Sequence, residues 1–216
     1  MNPWIVYRPF ESKLKKQFGR IEAQKIIDEA HKIYQNMTAE NSSLQKHKGK
    51  MTLPAVCLIQ AMEKEGIDGV GLLNQYGDET GKVFAKGVKG ITSLPFVSRI
   101  IWNSITSITD TMSAPSKGYA RKLVNEMPET YGVDIISCPF HELAKEAGEE
   151  RAVEWICHMD KQYMQGFKDI DYRRSQSRGM GDACCDYRLS YEGRPFRNPL
   201  RSFFGNTRNR KAYPER

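Results

Sequence analysis

Apolar side chains change their spacing once along this chain, near residue 115, and that change limits the fold more than any single motif does. Before it, apolar residues recur at steps of three and four. Leu14, Phe18, Ile21, Ile27, Ala30, Ile33 and Met37 do so across residues 12–39. Phe96, Ile100, Ile101, Ile105, Ile108 and Met112 do so again further on. Such spacing lays one apolar stripe along a helix, and these Met and Ile stripes are read as core. Ser12 is positioned as an N-cap. Residues 41–50 are polar and read as a loop. Pro54 opens a second helix that Gly66 ends, and a Gly-rich third helix covers residues 70–86.

Beyond residue 115 the runs shorten. Residues 119–126 and 131–138 flank the turn-forming Met127-Pro128-Glu129 and read as paired strands. Pro139 starts a polar helix through Ala147, and Gly148 breaks it. Residues 149–165 form a second helix, with Ala152, Val153, Ile156, Met159 and Met164 facing inward. Residues 170–178 and 184–191 then flank Gly179-Met180-Gly181-Asp182, a second hairpin with a glycine-supplied turn. The expected class is α+β. A mostly helical half (1–115) packs with a small antiparallel sheet made of two hairpins separated by two helices (119–192). Together they make one domain over 1–192, followed by a basic, extended C-terminal tail over 193–216. The 216 residues suit one domain with such an appendage.

The net charge of +7 invites a nucleic-acid reading, but it is unevenly spread. From residue 193 onward there are six Arg, one Lys and one Glu, a net of +6, which leaves +1 for the first 192 residues. A nearly neutral body offers no basic face, so no nucleic-acid partner is expected. The tail's arginines alternate with Phe196, Phe203, Phe204 and Tyr213, which suits an arm docking on its own domain or on a neighbouring copy in a homo-oligomer. The least polar stretch, 90–109, contains Pro95, Arg99 and many Ser and Thr, so no transmembrane segment is expected. Five cysteines, two of them adjacent, make an odd number and a poor disulfide framework. No signal peptide is visible, and the expected location is cytoplasmic.

Three clusters concentrate the reactive side chains: Cys138-Pro139-Phe140-His141 at a strand-to-helix junction, Cys157-His158-Met159-Asp160 inside a helix, and Gly181-Asp182-Ala183-Cys184-Cys185-Asp186 at a turn entering a strand. A thiol at a helix start meets the positive end of the helix dipole. Cys138 with His141 could therefore form a thiolate and its base. Cys185 follows a glycine turn on a strand, with Asp182 and Asp186 close in sequence. Cys184 and Cys185 point to opposite faces of that strand, so at most one joins a shared site. Asp160 matters if it shares a helix face with Cys157. A zinc site built from Cys138, His141, Cys157 and Cys185 is the chemical rival, although paired Cys-x2-Cys units are absent. The plainer alternative is that these thiols are buried structural residues and that Gly181-Asp182 is turn chemistry.

In this order the clusters resemble the L-2-amino-thiazoline-4-carboxylic acid hydrolase family, over residues 119–192 and more loosely in the helical half. The resemblance rests on Val133-Asp-Ile-Ile-Ser-Cys138-Pro, Cys157-x-x-Asp160, Arg174-Ser-Gln-Ser177 and Gly181-Asp-x-x-Cys185-Asp-Tyr-Arg188. His141 after Cys-Pro, the extra Cys184 and the Arg-rich tail depart from it. The resemblance implies an enzyme, a hydrolase that opens a C–N or C–S bond of a small cyclic amidine-like or amide-like compound, with no cofactor and no metal. In the namesake reaction a thiazoline ring opens at the carbon between nitrogen and sulfur and gives an N-carbamoyl cysteine. On that basis Cys185 is the first choice of nucleophile and Cys138 the competitor. His141 would be the acid/base, and Asp160 would orient it or activate water. Arg174 would bind a substrate carboxylate, with Cys157 and Asp182 also lining the substrate site. The helices-on-sheet pattern ending in a cysteine before an aromatic also resembles small-molecule-binding domains related to vinyl reductases. The alternative is therefore a small-molecule-binding or zinc-binding sensor without catalysis.

Overall fold

A computed structural model describes residues 2–40, 49–125 and 130–193. The fold is α+β, a mostly helical half packed with a four-stranded antiparallel sheet, as the change in spacing predicts. The first half contains α1 (Arg8–Phe18), α2 (Arg20–Glu40), α3 (Gly49–Lys64), α4 (Gly69–Thr92), α5 (Val97–Asn103) and α6 (Ile105–Met112). The second half runs β1 (Ala120–Asn125), β2 (Thr130–Ser137), α7 (Pro139–Glu146), α8 (Glu154–Met164), β3 (Ile170–Arg173) and β4 (Cys185–Tyr191). The sheet order is β1-β2-β4-β3, so the two hairpins join through β2 and β4.

Several boundaries differ from the sequence reading, each for a local reason. Residues 12–39 form two helices, because Gly19 takes a positive φ of 82° between them. Ser12 is not a cap; its hydroxyl donates to the Arg8 carbonyl inside α1. Pro54 lies within α3, which starts at Gly49. The ring removes the N–H that would serve the Lys50 carbonyl, and the Tyr7 phenol donates to the neighbouring Met51 carbonyl. Gly66 does end α3, as expected: Gly66 N–H bonds Glu63 and Ile67 N–H bonds Met62. The third helix runs on to Thr92. The 96–112 stripe is split at Ser104. Residues 149–165 begin as a 3₁₀ turn over Glu150–Val153 before α8. The 41–48 part of the expected loop, the turn at 126–129 and the tail from 194 lie outside the described residues.

Two apolar clusters organise these elements. The first joins α1–α4 and α7 to Trp155 of α8. The second joins Trp102 and Ile105 to the inner face of the sheet and to Met164, at the other end of α8. α8 thus lies between α4 and the sheet. The glycine content of α4 explains its closeness on one side. A methyl on Gly77 would meet the Trp155 carbonyl oxygen at 2.2 Å, and one on Gly81 would meet that of Met159 at 2.4 Å. The Met and Ile stripes are core only in part, since Ile100, Ile108 and Met112 are exposed.

Candidate active site

Strand alternation brings the first components together. Cys185, Tyr187 and Leu189 alternate along β4; Cys185 pairs with Ile135 of β2, and Leu189 with Tyr172 of β3. Cys185, Leu189, Ile135 and Tyr172 are all buried in the sheet's cluster, and Tyr187 packs against it. α8 crosses this face and supplies Cys157 and Asp160, one turn apart. Arg174, just past β3, ties the helix down. Its guanidinium donates to Asp160 Oδ2 at 2.9 Å and to the Cys157 carbonyl at 2.7 Å. The Tyr187 hydroxyl donates to the same Asp160 oxygen at 2.6 Å.

The segment between β3 and β4 folds over these groups. Asp182 accepts the Ser177 N–H at 2.7 Å and closes the turn. Asp186 accepts the N–H groups of Ser175 and Gln176 at 2.9 and 2.6 Å. The Arg178 N–H is thereby aimed at Cys185 Sγ, 3.1 Å away. Gly179 lies so close to Cys157 that an added Cβ would stand 2.7 Å from its Sγ and 2.8 Å from a Val153 methyl, so a larger residue requires those side chains to shift. The Ser177 hydroxyl faces both thiols. The Tyr172 hydroxyl and Arg178 Nε are buried and carry no hydrogen-bond partner, and such groups are costly unless something pairs them.

The electrostatics follow from burial. Burial pushes the Cys185 thiol above its ordinary value, while the Arg178 N–H, the Arg174 cation and Ser177 pull the other way. Cys157 is pushed up to about 11 by burial, again opposed by Ser177 and Arg174. Burial also raises the Asp160 carboxyl above the usual aspartate range, against the pull of Tyr187 and Arg174. The Tyr119, Tyr172 and Tyr187 hydroxyls are raised by burial too, and the Asp160 charge adds to each. Tyr119 also feels Cys138, Cys185 and Cys157, so all three thiols lie within electrostatic reach of one phenol.

A buried thiol beside a cation and a buried carboxylate suits attack on an electrophilic carbon. The sequence model of the L-2-amino-thiazoline-4-carboxylic acid hydrolase family matches residues 5–189. The chain belongs to that family. No curated protein matches it. Among solved structures it is similar to the Fe(II) unliganded H-NOX protein from K. algicida, at 12% identity and TM-score 0.39, covering 91% of this chain and 99% of that one. It is also similar to a point mutant of that protein, at 12% identity and TM-score 0.38, covering 89% and 97%.

In this member of the hydrolase family the three sequence clusters converge only in part. Cys138, Cys157, Cys185, Asp160 and Arg174 come together. Cys138 is half-buried at the N-cap position of α7, and its side chain makes no cap hydrogen bond. His141 is buried in the first turn of α7. Its Nδ1 has no hydrogen-bond partner and lies 3.7 Å from the Glu142 carboxylate. Asp182 is occupied in closing the turn. Cys184 points the other way, toward Gln176 at 3.4 Å. Cys57 is separate, fully buried in the helical cluster and pushed up to about 12 by that burial. All five cysteines are free of disulfides. Among the described residues no group of three or more His, Cys, Asp or Glu side chains is arranged to hold a metal ion. Sequence reasoning gave no chemical role to Tyr187, Tyr172, Ser177, Arg178 or Tyr119. The period-two step from Cys185 puts Tyr187 on the same face, and that signal was available.

Proposed function

We propose that this protein hydrolyses a small cyclic amidine-like compound with a carboxylate, of the 2-amino-thiazoline-4-carboxylate kind, using Cys185 as the nucleophile. The observation that carries the reading is the Cys185 thiol. It accepts a backbone N–H, lies beside the Arg174–Asp160–Tyr187 network, and faces the Ser177 hydroxyl.

The Cys185 proton passes to the Asp160 carboxylate, whose raised affinity for protons suits that task. Sγ bonds to the ring carbon between nitrogen and sulfur. The ring carbon–sulfur bond breaks, and the departing sulfur takes the proton back as a thiol. Water then adds to the same carbon and gives one proton to Asp160. The carbon–Sγ bond breaks, Sγ regains the proton held by Asp160, the second water proton moves to the former ring nitrogen, and the carbon leaves as a carbamoyl group. The sum is substrate plus one water. Arg174 works as a positioning residue. Its side chain is only 3% exposed and is already committed to Asp160 and the Cys157 carbonyl. The substrate carboxylate falls instead to Arg178, whose Nε is unpartnered and whose Nη2 lies 3.7 Å from Glu142. Acid/base work goes to Asp160 rather than to His141.

The test is incubation of the purified protein with 2-amino-thiazoline-4-carboxylate, following the thiol product with a thiol reagent and the carbamoyl product by chromatography. Turnover that disappears in Cys185→Ser with the circular dichroism spectrum unchanged supports the proposal. Undiminished turnover in Cys185→Ser, or its loss in Cys138→Ser alone, overturns the choice of nucleophile. Tight binding without product overturns the enzyme reading.

A further inference from the structure

Away from the thiols, the C-terminal half of α4 and the turn into α5 carry an unusual surface. Phe84, Ile91, Leu94, Phe96 and Ile100 are each more than half exposed. Lys82, Lys86 and Lys89 are exposed on the same half of α4, on the side opposite Phe84 and Ile91 at about 3.6 residues per turn, and make no ion pair among the described residues. From residue 80 to 109 the chain has three Lys and one Arg and no Asp or Glu, although the first 192 residues together sum to +1. The cations are therefore segregated onto the same stretch as the exposed apolar groups.

The turn itself is built to hold apolar groups outward. Phe96 has φ of 67°, the left-handed region that a bulky residue enters only at a conformational cost. It keeps that conformation with the residue 68% exposed, so little of its side chain packs against the fold to offset the strain. The backbone is nevertheless satisfied locally. Ser93 N–H bonds Lys89, Leu94 N–H bonds Ile91, Val97 N–H bonds Leu94 and Ile100 N–H bonds Phe96, and Pro95 has no N–H to satisfy. A turn with paired backbone and outward Leu and Phe tolerates a medium without water. The end of β4 lies at this surface, since Tyr191 stacks on Trp102 of α5 at 5.8 Å. The sequence that continues from residue 193 adds a net of +6.

We infer that this surface docks the protein on an anionic lipid bilayer, with Leu94 and Phe96 entering the interface and the lysines meeting acidic headgroups. Exposed apolar side chains at the end of a helix that carries cations match such an interface; Asp169, which accepts from the Ser98 hydroxyl, and Glu192, whose N–H bonds Asp169, lie at its border. A second protein copy would bring its own carboxylates or bury the lysines against like charge.

The test is sedimentation of the full-length protein with vesicles of phosphatidylcholine alone and of phosphatidylcholine with phosphatidylserine. Binding to the mixed vesicles that weakens with salt, and that falls at least about tenfold in Leu94→Ser with Phe96→Gly, supports the proposal. Glycine relieves the positive φ, so this variant keeps or raises its melting temperature, which separates lost docking from lost folding. Three results overturn the proposal: no binding to the mixed vesicles, binding that the double variant leaves unchanged, or a dimer in analytical ultracentrifugation that the double variant dissociates.

Discussion

Replacing Gly81 by alanine adds one methyl where α4 meets α8, and the structure sets the size of the consequence. The new carbon would stand 2.4 Å from the Met159 carbonyl oxygen, 2.6 Å from Gln162 Cβ and 3.0 Å from Met159 Cα. Ordinary contact begins near 3.4 Å, so α8 must retreat by roughly 1 Å, enough to forfeit a quarter to a half of each dispersion contact it stretches. Overpacking of this kind costs about 1–3 kcal/mol. The upper end applies here, because the obstacle is backbone rather than a side-chain tip. Alanine returns about 1 kcal/mol of helix propensity. The expected net loss is about 2 kcal/mol, or roughly 4–8 °C in melting temperature for a chain of this length. Gly87→Ala on the same helix is the control. Its Cβ meets nothing within 4 Å, so it should gain up to about 1 kcal/mol. Urea titrations of both variants, compared at equal slope, read the two signs. Equal stabilisation by both substitutions would refute the claim that Gly81 is there for close approach.

Other outcomes follow from the site. Arg178→Met should raise KM about 10- to 100-fold with a smaller change in kcat, the scale of one charged hydrogen bond to a carboxylate; an unchanged KM in steady-state assays would remove Arg178 from substrate binding. Because the Asp160 carboxylate takes the Cys185 proton, and burial raises that carboxyl above the usual aspartate range, kcat/KM should be lost as pH falls, with the fall beginning above pH ~4, the ordinary carboxyl value. A profile that stays flat until below pH ~4 would contradict this. Asp186 is held below the usual range: burial opposes its charge, but bonds from Ser175 and Gln176 outweigh it. Its contribution to stability is therefore present above the unfolded carboxyl pKa and is lost as pH falls through the folded value. The melting-temperature gap between the wild type and Asp186→Asn should shrink below pH ~4, and a gap constant into acid would refute the assignment.

What was legible in the sequence was local periodicity. Alternation fixed the faces of Cys184 and Cys185, and helical spacing put Cys157 and Asp160 on one side of α8. The ordered motifs from Val133 to Arg188 pointed to the family that the match over residues 5–189 bears out. What was not legible depended on partners distant in sequence. Pro54 reads as a helix start until the Tyr7 phenol is seen serving the adjacent turn. Gly77 and Gly81 read as weak helix positions until the α8 carbonyls are set against them. Arg174 looks like a carboxylate receptor in sequence, yet Asp160, Tyr187 and the Cys157 carbonyl already occupy it. The stripe through Ile100 and Met112 shows another limit: periodicity reports that a helix is two-sided, not which medium covers its apolar side.

α8 carries both halves of this argument at once. Its Trp155 and Met159 carbonyls rest on the glycines of α4, while its Cys157 carbonyl and Asp160 carboxylate are held by Arg174 and Tyr187. The bonds on the second side are 2.6–2.9 Å long, and a displacement of about 1 Å toward their donors is more than such bonds can absorb. Anything that lifts α8 off α4 therefore pushes Asp160 into the groups around it and changes the network beside Cys185. Packing and chemistry share one helix, so a glycine variant should lose more turnover than its unfolded fraction accounts for. If activity per folded molecule were unchanged in Gly81→Ala, the carboxylate beside the thiol would not need the position that the helix gives it, and the proton path through Asp160 would have to be abandoned.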